Sequence, residues 1–158
     1  YSKVRVIAET KKGDYFMAEN FVRGSGGCAA PPLGDLDNMI ASAGKMKIKV
    51  KNIEEKDGIA EAKIMILHPQ FNGLQANPAT TEMIAAYYIE NIKVTYNDKV
   101  VMALESDISI SQDPTFRFNF PVDEGGDLKV TAKDTDGNVY SHFEKFVLQD
   151  NQLKIASQ

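Results

Sequence analysis

The stretch MKIKVK, residues 46–51, alternates strictly between apolar side chains and lysines. Successive side chains of a β-strand point to opposite faces, so this pattern predicts a strand with one buried face and one face in water. The stretches FRFNF at residues 116–120 and LKVTA at residues 128–132 show the same period of two. The alternation therefore predicts an all-β unit over the larger part of the chain.

Turn signals divide this part of the chain into about seven short predicted strands. The turns are DG at 57–58, ND at 97–98, GG at 125–126 and DTDG at 134–137, and the last predicted strand covers residues 139–148. Strands of this number and spacing over roughly 100 residues are typical of an immunoglobulin-like β-sandwich. Phe116, Phe118 and Phe120 are expected to lie in its core.

The N-terminal residues predict a separate β-hairpin. Residues 2–10 and 15–22 read as two strands around the turn KKGD at 11–14, and Val4, Val6 and Ala8 are expected to form a buried face. A two-stranded hairpin is marginal in water, so it should pack on the later sandwich, on a partner chain or on further strands.

Between the two β units, the sequence predicts a short helix that Asp35 caps and Gly44 ends. The predicted organisation is a hairpin with a cysteine motif at residues 1–28, a linker with this short helix at 29–44, and the sandwich at 45–150.

The only cysteine, Cys28, lies in the stretch RGSGGCAAPP, residues 23–32. A buried structural cysteine is usually found inside an apolar strand or helix, whereas small residues and glycines give this one a loose backbone. We expect a displayed thiol that carries a covalently attached group, with the thiolate as its reactive form. Four residues form the expected flexible tether: Gly24, Ser25, Gly26 and Gly27.

Other functions have weaker signals. The net charge is −4 and no basic stripe occurs, so no nucleic-acid partner is expected. No apolar run approaches the roughly 18 residues that span a bilayer, so no membrane association is expected. Two histidines and one cysteine offer no metal-ligand spacing, a phosphate loop would need a lysine after its glycines, and neither histidine has a protease signature around it. His68 is expected to be a strand-end histidine held by a backbone hydrogen bond.

Residues 46–148 resemble the SoxZ domain of the SoxYZ sulfur-oxidation carriers. The resemblance is carried by HP at 68–69 with Gly73 after it, YIENIKVTYN at 88–97, SQDP at 111–114, GDLKV at 126–130 and DTDG at 134–137. Residues 1–28 resemble the last two strands and the end of SoxY, through VIAET at 6–10, Gly13 and GGC at 26–28. The order of the two parts is similar to that of fused SoxYZ-like carriers, some of which accompany quinoprotein dehydrogenases.

Two departures from the family pattern stand out. Cys28 is followed by AAPP rather than by the free glycine end of the separate SoxY subunit, and most of a SoxY-like sandwich is not present before residue 1. We therefore expect the chain to be the C-terminal part of a longer fusion or of its cleavage product.

The resemblance implies a periplasmic carrier rather than an enzyme. Thiosulfate-derived adducts would be attached to Cys28, with no other cofactor. The implied partners are a c-type cytochrome oxidase and a sulfate thiol hydrolase, or a quinoprotein dehydrogenase, together with a SoxY-like part or a second copy of the chain. The alternative is a non-covalent binding or delivery module for such a redox partner.

Overall fold

The computed structural model describes residues 2–22, 27–32, 34–52, 58–149 and 152–156, without the side chains of Asn52 and Gln152. The chain divides into two compact units, Tyr1–Ala30 and Pro31–Gln158.

The first unit is the predicted β-hairpin. Strand β1 (Ser2–Glu9) pairs antiparallel with β2 (Tyr15–Val22), and Gly13 in the turn has a φ of 87° that favours glycine. Every residue of both strands is exposed. Within this chain the predicted buried face is exposed, since Val4 and Val6 are 49% and 61% exposed, and its packing on a partner chain or on further strands stays a prediction. A two-stranded ribbon has no second layer of its own to cover either face.

The second unit begins with the predicted short helix, α1 (Leu36–Ala41). The Asp35 carboxylate caps it by accepting hydrogen bonds from the backbone N–H groups of Asp37 and Asn38, at 3.0 and 3.3 Å. The chain then turns through Gly44, whose φ is 81°. Among the residues that the structure describes, no helix is long and apolar enough to cross a membrane.

Eight strands follow in the described part of this unit and form two antiparallel sheets, which confirms the all-β sandwich. One sheet has the order β10-β9-β8-β5-β6 and the other has the order β3-β4-β7. The strands are β3 (Met46–Asn52), β4 (Ile59–Ile66), β5 (Ile89–Tyr96), β6 (Lys99–Glu105), β7 (Thr115–Pro121), β8 (Gly126–Asp134), β9 (Val139–Gln149) and β10 (Gln152–Ile155).

The core consists of the inward side chains of the two sheets. In β4 every second residue is fully buried, namely Ala60, Ala62, Ile64 and Ile66, and in β8 the same holds for Leu128, Val130 and Ala132. Phe120 is buried as predicted, while Phe116 and Phe118 are half-buried and pack against the same cluster. Burial of this apolar surface, at about 25 cal/mol per Å², is the main favourable contribution to folding.

The chain has a C-terminal strand that the sequence analysis did not predict. Strand β9 runs to Gln149, and β10 pairs with it through contacts such as Leu153 with Leu148. Leu153 is 5% exposed and belongs to the core. The four-residue strand QLKI is too short to show a period of two, so its pairing could not be predicted locally.

We expect Leu153→Ala to lower the free energy of unfolding by about 2–4 kcal/mol, because it leaves a cavity in the core. The matched control is Ile155→Ala on the same strand, where the side chain is 57% exposed and the change should stay within about 0.5 kcal/mol. Urea unfolding of both variants measures the difference. Equal effects would contradict the role of β10 in the core.

Candidate functional site

Cys28 lies in an exposed turn at the end of the first unit. The backbone N–H of Ala30 donates to the carbonyl oxygen of Gly27 at 2.8 Å, so Cys28 and Ala29 occupy the two central positions of a β-turn. Cys28 is exposed in this turn. The predicted carrier residue is therefore accessible to a reagent or to another protein.

The space at Gly27 itself is open. Apart from its two chain neighbours, a Cβ atom built on Gly27 would meet no atom of the described residues within 4 Å. The other predicted tether residues, Gly24, Ser25 and Gly26, lie outside the described residues. The flexibility of the tether stays a prediction.

His68 lies just beyond the end of β4, and its side chain is completely enclosed. Its backbone N–H donates to Asp113 Oδ1 at 3.0 Å, and its carbonyl oxygen accepts from the backbone N–H of Asp113, also at 3.0 Å. The ring nitrogen Nδ1 accepts from the backbone N–H of Gln70 at 3.2 Å. The prediction of a strand-end histidine held by backbone hydrogen bonds is confirmed.

Asp134 is the centre of a buried polar cluster that the sequence analysis missed. Its carboxylate is fully buried and accepts from the backbone N–H groups of Asp136 and Asn138, from Asn138 Nδ2 and from the Tyr140 hydroxyl, at 2.8–3.0 Å. Because the Tyr140 proton is used in this bond, the Tyr87 hydroxyl 3.0 Å away must donate to Tyr140. The sequence predicted the turn at 134–137 but not its burial.

His68 and Asp134 face each other inside the sandwich without a direct hydrogen bond. His68 Nε2 is 3.7 Å from Asp134 Oδ2, and neither His68 Nε2 nor Gln70 Nε2 has a hydrogen-bond partner among the described residues. Since Nδ1 is an acceptor, the neutral ring carries its proton on Nε2, directed towards the carboxylate. The ring also packs on Tyr87, with the centroids 4.5 Å apart.

Burial sets the protonation states of this pair. Burial lowers the pKa of His68, and this effect outweighs the Asp134 carboxylate, which raises it. Burial by itself would raise the pKa of Asp134, but the hydrogen bonds from Asn138 and Tyr140 outweigh it, so that pKa is lowered. At neutral pH the cluster therefore holds a neutral imidazole beside a carboxylate.

The cluster has a structural role. It lies between the end of β4 in one sheet and the β8–β9 turn in the other. Gln70 connects β5 to the cluster, because its Oε1 accepts a hydrogen bond from the backbone N–H of Ile89 at 2.7 Å. Gly44 completes the enclosure, because a Cβ atom there would occupy the space of the Tyr140 ring. With its ring shut off from solvent, His68 is not available as a base for a substrate. Among the described residues, no group of His, Cys, Asp and Glu side chains could hold a metal ion.

The fold and the site define a class of protein: an immunoglobulin-like β-sandwich that follows an exposed cysteine. The family model described as "Sulphur oxidation protein SoxZ" matches residues 46–145, which is most of the sandwich. The chain belongs to the SoxZ family, whose members are components of the sulfur oxidation system. No curated protein sequence matches the chain significantly.

Several solved structures are weakly similar to this chain. Hypothetical protein PH1083 from Pyrococcus horikoshii OT3 has a TM-score of 0.46 and 12% identity, covering 66% of this chain and 88% of its own. Superoxide reductase from Nanoarchaeum equitans has a TM-score of 0.44 and 9% identity, covering 66% and 93%. A superoxide reductase (Neelaredoxin) variant from Ignicoccus hospitalis has a TM-score of 0.45 and 13% identity, covering 67% and 82%. TM-scores this low carry no implication for function.

The buried histidine should make the fold sensitive to acid. The pKa of folded His68 lies below the ordinary value of 6.5, so the unfolded chain takes up this proton first. The stability that neutral His68 contributes is complete above about pH 6.5 and is lost as the pH falls below that value. The stability that the ionised Asp134 carboxylate contributes is lost only below pH 3.8, the ordinary pKa of aspartate.

We expect urea unfolding to show that stability declines as the pH falls below about 6.5 in the wild type and in the control His142→Gln, but not in His68→Gln. His142 is the other histidine and is partly exposed. NMR titration of the wild-type His68 ring gives a second measurement, should the variant not fold. A ring that becomes protonated near pH 6.5 or above in the folded protein would contradict the assignment.

Proposed function

We propose that the protein is a covalent carrier of sulfur compounds, which it holds on the thiol of Cys28 and presents to the enzymes of the sulfur oxidation system. The observation that supports this most is the exposure of Cys28 in a turn that precedes a SoxZ-family domain. A carrier thiol must enter the active site of another protein, and a small-residue turn with open space at Gly27 suits that requirement.

The loading step is an oxidation. The thiol and thiosulfate form a new S–S bond, giving Cys28–S–S–SO₃⁻, and release one proton and two electrons. A c-type cytochrome oxidase accepts the electrons. Hydrolysis by a sulfate thiol hydrolase then breaks the S–SO₃ bond, releases sulfate and two protons, and leaves Cys28–S–S⁻.

Under this proposal the protein supplies the attachment point and its partners supply the catalysis. The thiolate is the attacking species, and the enclosed ring of His68 is not available to generate it. No resident cofactor is needed, because the adduct is held by the cysteine itself. The hairpin of β1 and β2 would be the end of a SoxY-like unit. The protein would act in the periplasm, and osmotic-shock fractionation of the source cells tests this location.

We expect a mass increase of one thiosulfate group on the wild-type protein after incubation with thiosulfate and the partner cytochrome, measured by intact mass spectrometry. The Cys28→Ser variant should gain nothing, and the adduct should be removed by a thiol reductant. Alkylation by iodoacetamide in the native fold serves as the control that Cys28 is reachable. Absence of a gain on an alkylatable wild type, or the same gain on Cys28→Ser, would reject the proposal.

The alternative function, non-covalent delivery for a quinoprotein dehydrogenase, has a different signature. The many exposed apolar side chains of the hairpin are compatible with a partner that binds there. If the protein is only a delivery module, Cys28→Ser leaves the activity of the partner dehydrogenase unchanged. If the protein is a covalent carrier, the same substitution abolishes its function.

A further inference from the structure

The outer face of the three-stranded sheet β3-β4-β7 is strongly cationic. Side chains that alternate with the core residues point outward on each strand, and the charged ones among the described residues are five cations and one carboxylate: Lys47, Lys49, Lys51, Lys63, Arg117 and Glu61. The chain as a whole has a net charge of −4, so this surplus of positive charge is concentrated on one face of an acidic protein.

Three of these cations lie directly opposite one another. Lys49 pairs with Lys63, and Lys63 pairs with Arg117, which makes one continuous row across all three strands. Neighbouring strands are about 4.8 Å apart, and like charges directly opposite each other destabilise a sheet. We call Lys49, Lys63 and Arg117 the cationic row.

The row is only partly neutralised. Glu61 lies 3.3 Å from Lys51 and 4.0 Å from Arg117. Within the part of the chain that the structure describes, Lys49 and Lys63 have no acidic partner within 4.0 Å. Residues 53–57, which join β3 to β4, are outside the described residues.

In the five-stranded sheet, some lysines on the outer face lie beside carboxylates. On its outer face Lys133 pairs with Glu90 at 2.6 Å, and Lys145 lies opposite Asp127. Both sheets therefore have solvated outer faces, but the three-stranded sheet places a row of cations opposite cations. An arrangement that costs stability without a structural gain points to a role outside folding.

We propose that the cationic row is the docking surface for an acidic surface patch on a protein partner of the sulfur oxidation system. A positive face of this size attracts a negative partner over about one Debye length and raises the rate of encounter. Polar and apolar side chains such as Met65, Thr115 and Asn119 border the row and suit a protein surface. Among the described residues of this outer face there are no aromatic side chains, on which the bases of a single-stranded nucleic acid would stack.

The test uses the Cys28→Ser protein, so that association is measured without covalent loading. The probe is the c-type cytochrome of the proposed loading step, and this choice is the only point at which the inference rests on the proposed function. We expect Lys49→Gln combined with Lys63→Gln to lower the association rate constant by roughly tenfold at about 50 mM salt. The difference should shrink to less than about twofold at about 500 mM salt.

A matched control removes the same charge elsewhere. Lys93→Gln combined with Lys129→Gln neutralises two lysines on the outer face of the other sheet and should change the association rate less than about twofold. Thermal unfolding of both double variants shows whether they are folded. The variant of the cationic row should be at least as stable as the parent protein, since it removes repulsion between opposite strands.

Several results would overturn the docking proposal. One is an equal loss of association rate in both double variants, which would indicate only a general charge effect. Another is an association with the cytochrome that salt does not weaken. Three competing occupants of this surface are tested as well. They are vesicles of phosphatidylglycerol, duplex DNA, and a second copy of the protein, which is detected by sedimentation. Binding to any of these through Lys49 and Lys63, with none to the cytochrome, would also reject it. Failure of the carrier proposal would appear separately, in the mass of the wild-type protein.

Discussion

The burial of every second side chain between two sheets is the constraint on which the rest of the sandwich depends. In β3 and β4 it places Ile48 and Ile64 in the core and leaves Lys49 and Lys63 outside. A shift of either strand by one residue would exchange these faces and bring lysines into the core, so the apolar side chains fix the register. The same force that builds the core therefore also aligns the cationic row, although the row itself opposes the pairing of the strands.

A second constraint is the buried carboxylate of Asp134. An ionised group without partners inside a protein is very unfavourable, and three of the four donors that satisfy Asp134 come from its own turn, through Asp136 and Asn138. The fourth is the Tyr140 hydroxyl, whose ring fits only because residue 44 is glycine. Enclosing His68 against this carboxylate ties the end of β4 to the β8–β9 turn, so one polar cluster connects the two sheets.

What the sequence could predict follows from the range of the interactions. Strands with a clear period of two, the Asp35 cap and the turn at 134–137 are encoded within a few residues, and the structure confirms them. The burial of Asp134 and the alignment of Lys49 with Lys63 and Arg117 depend on residues far apart in the chain. Local patterns do not specify such pairings, and for the same reason they could not show what covers the apolar face of the N-terminal hairpin and did not predict β10.

Under the two proposals, the division of labour between the thiol and the sandwich has a physical logic. A carrier must release its partner after each step, so tight binding would slow the cycle. Long-range attraction between opposite charges accelerates encounter while leaving the complex short-lived, because exposed charge pairs contribute little to affinity in water. A cationic face on a rigid sheet can orient the partner, and an exposed turn can deliver Cys28 without a base of its own. The face and the thiol lie in separate units of the chain, so substitutions of Cys28 and of the cationic row change different parts of the protein.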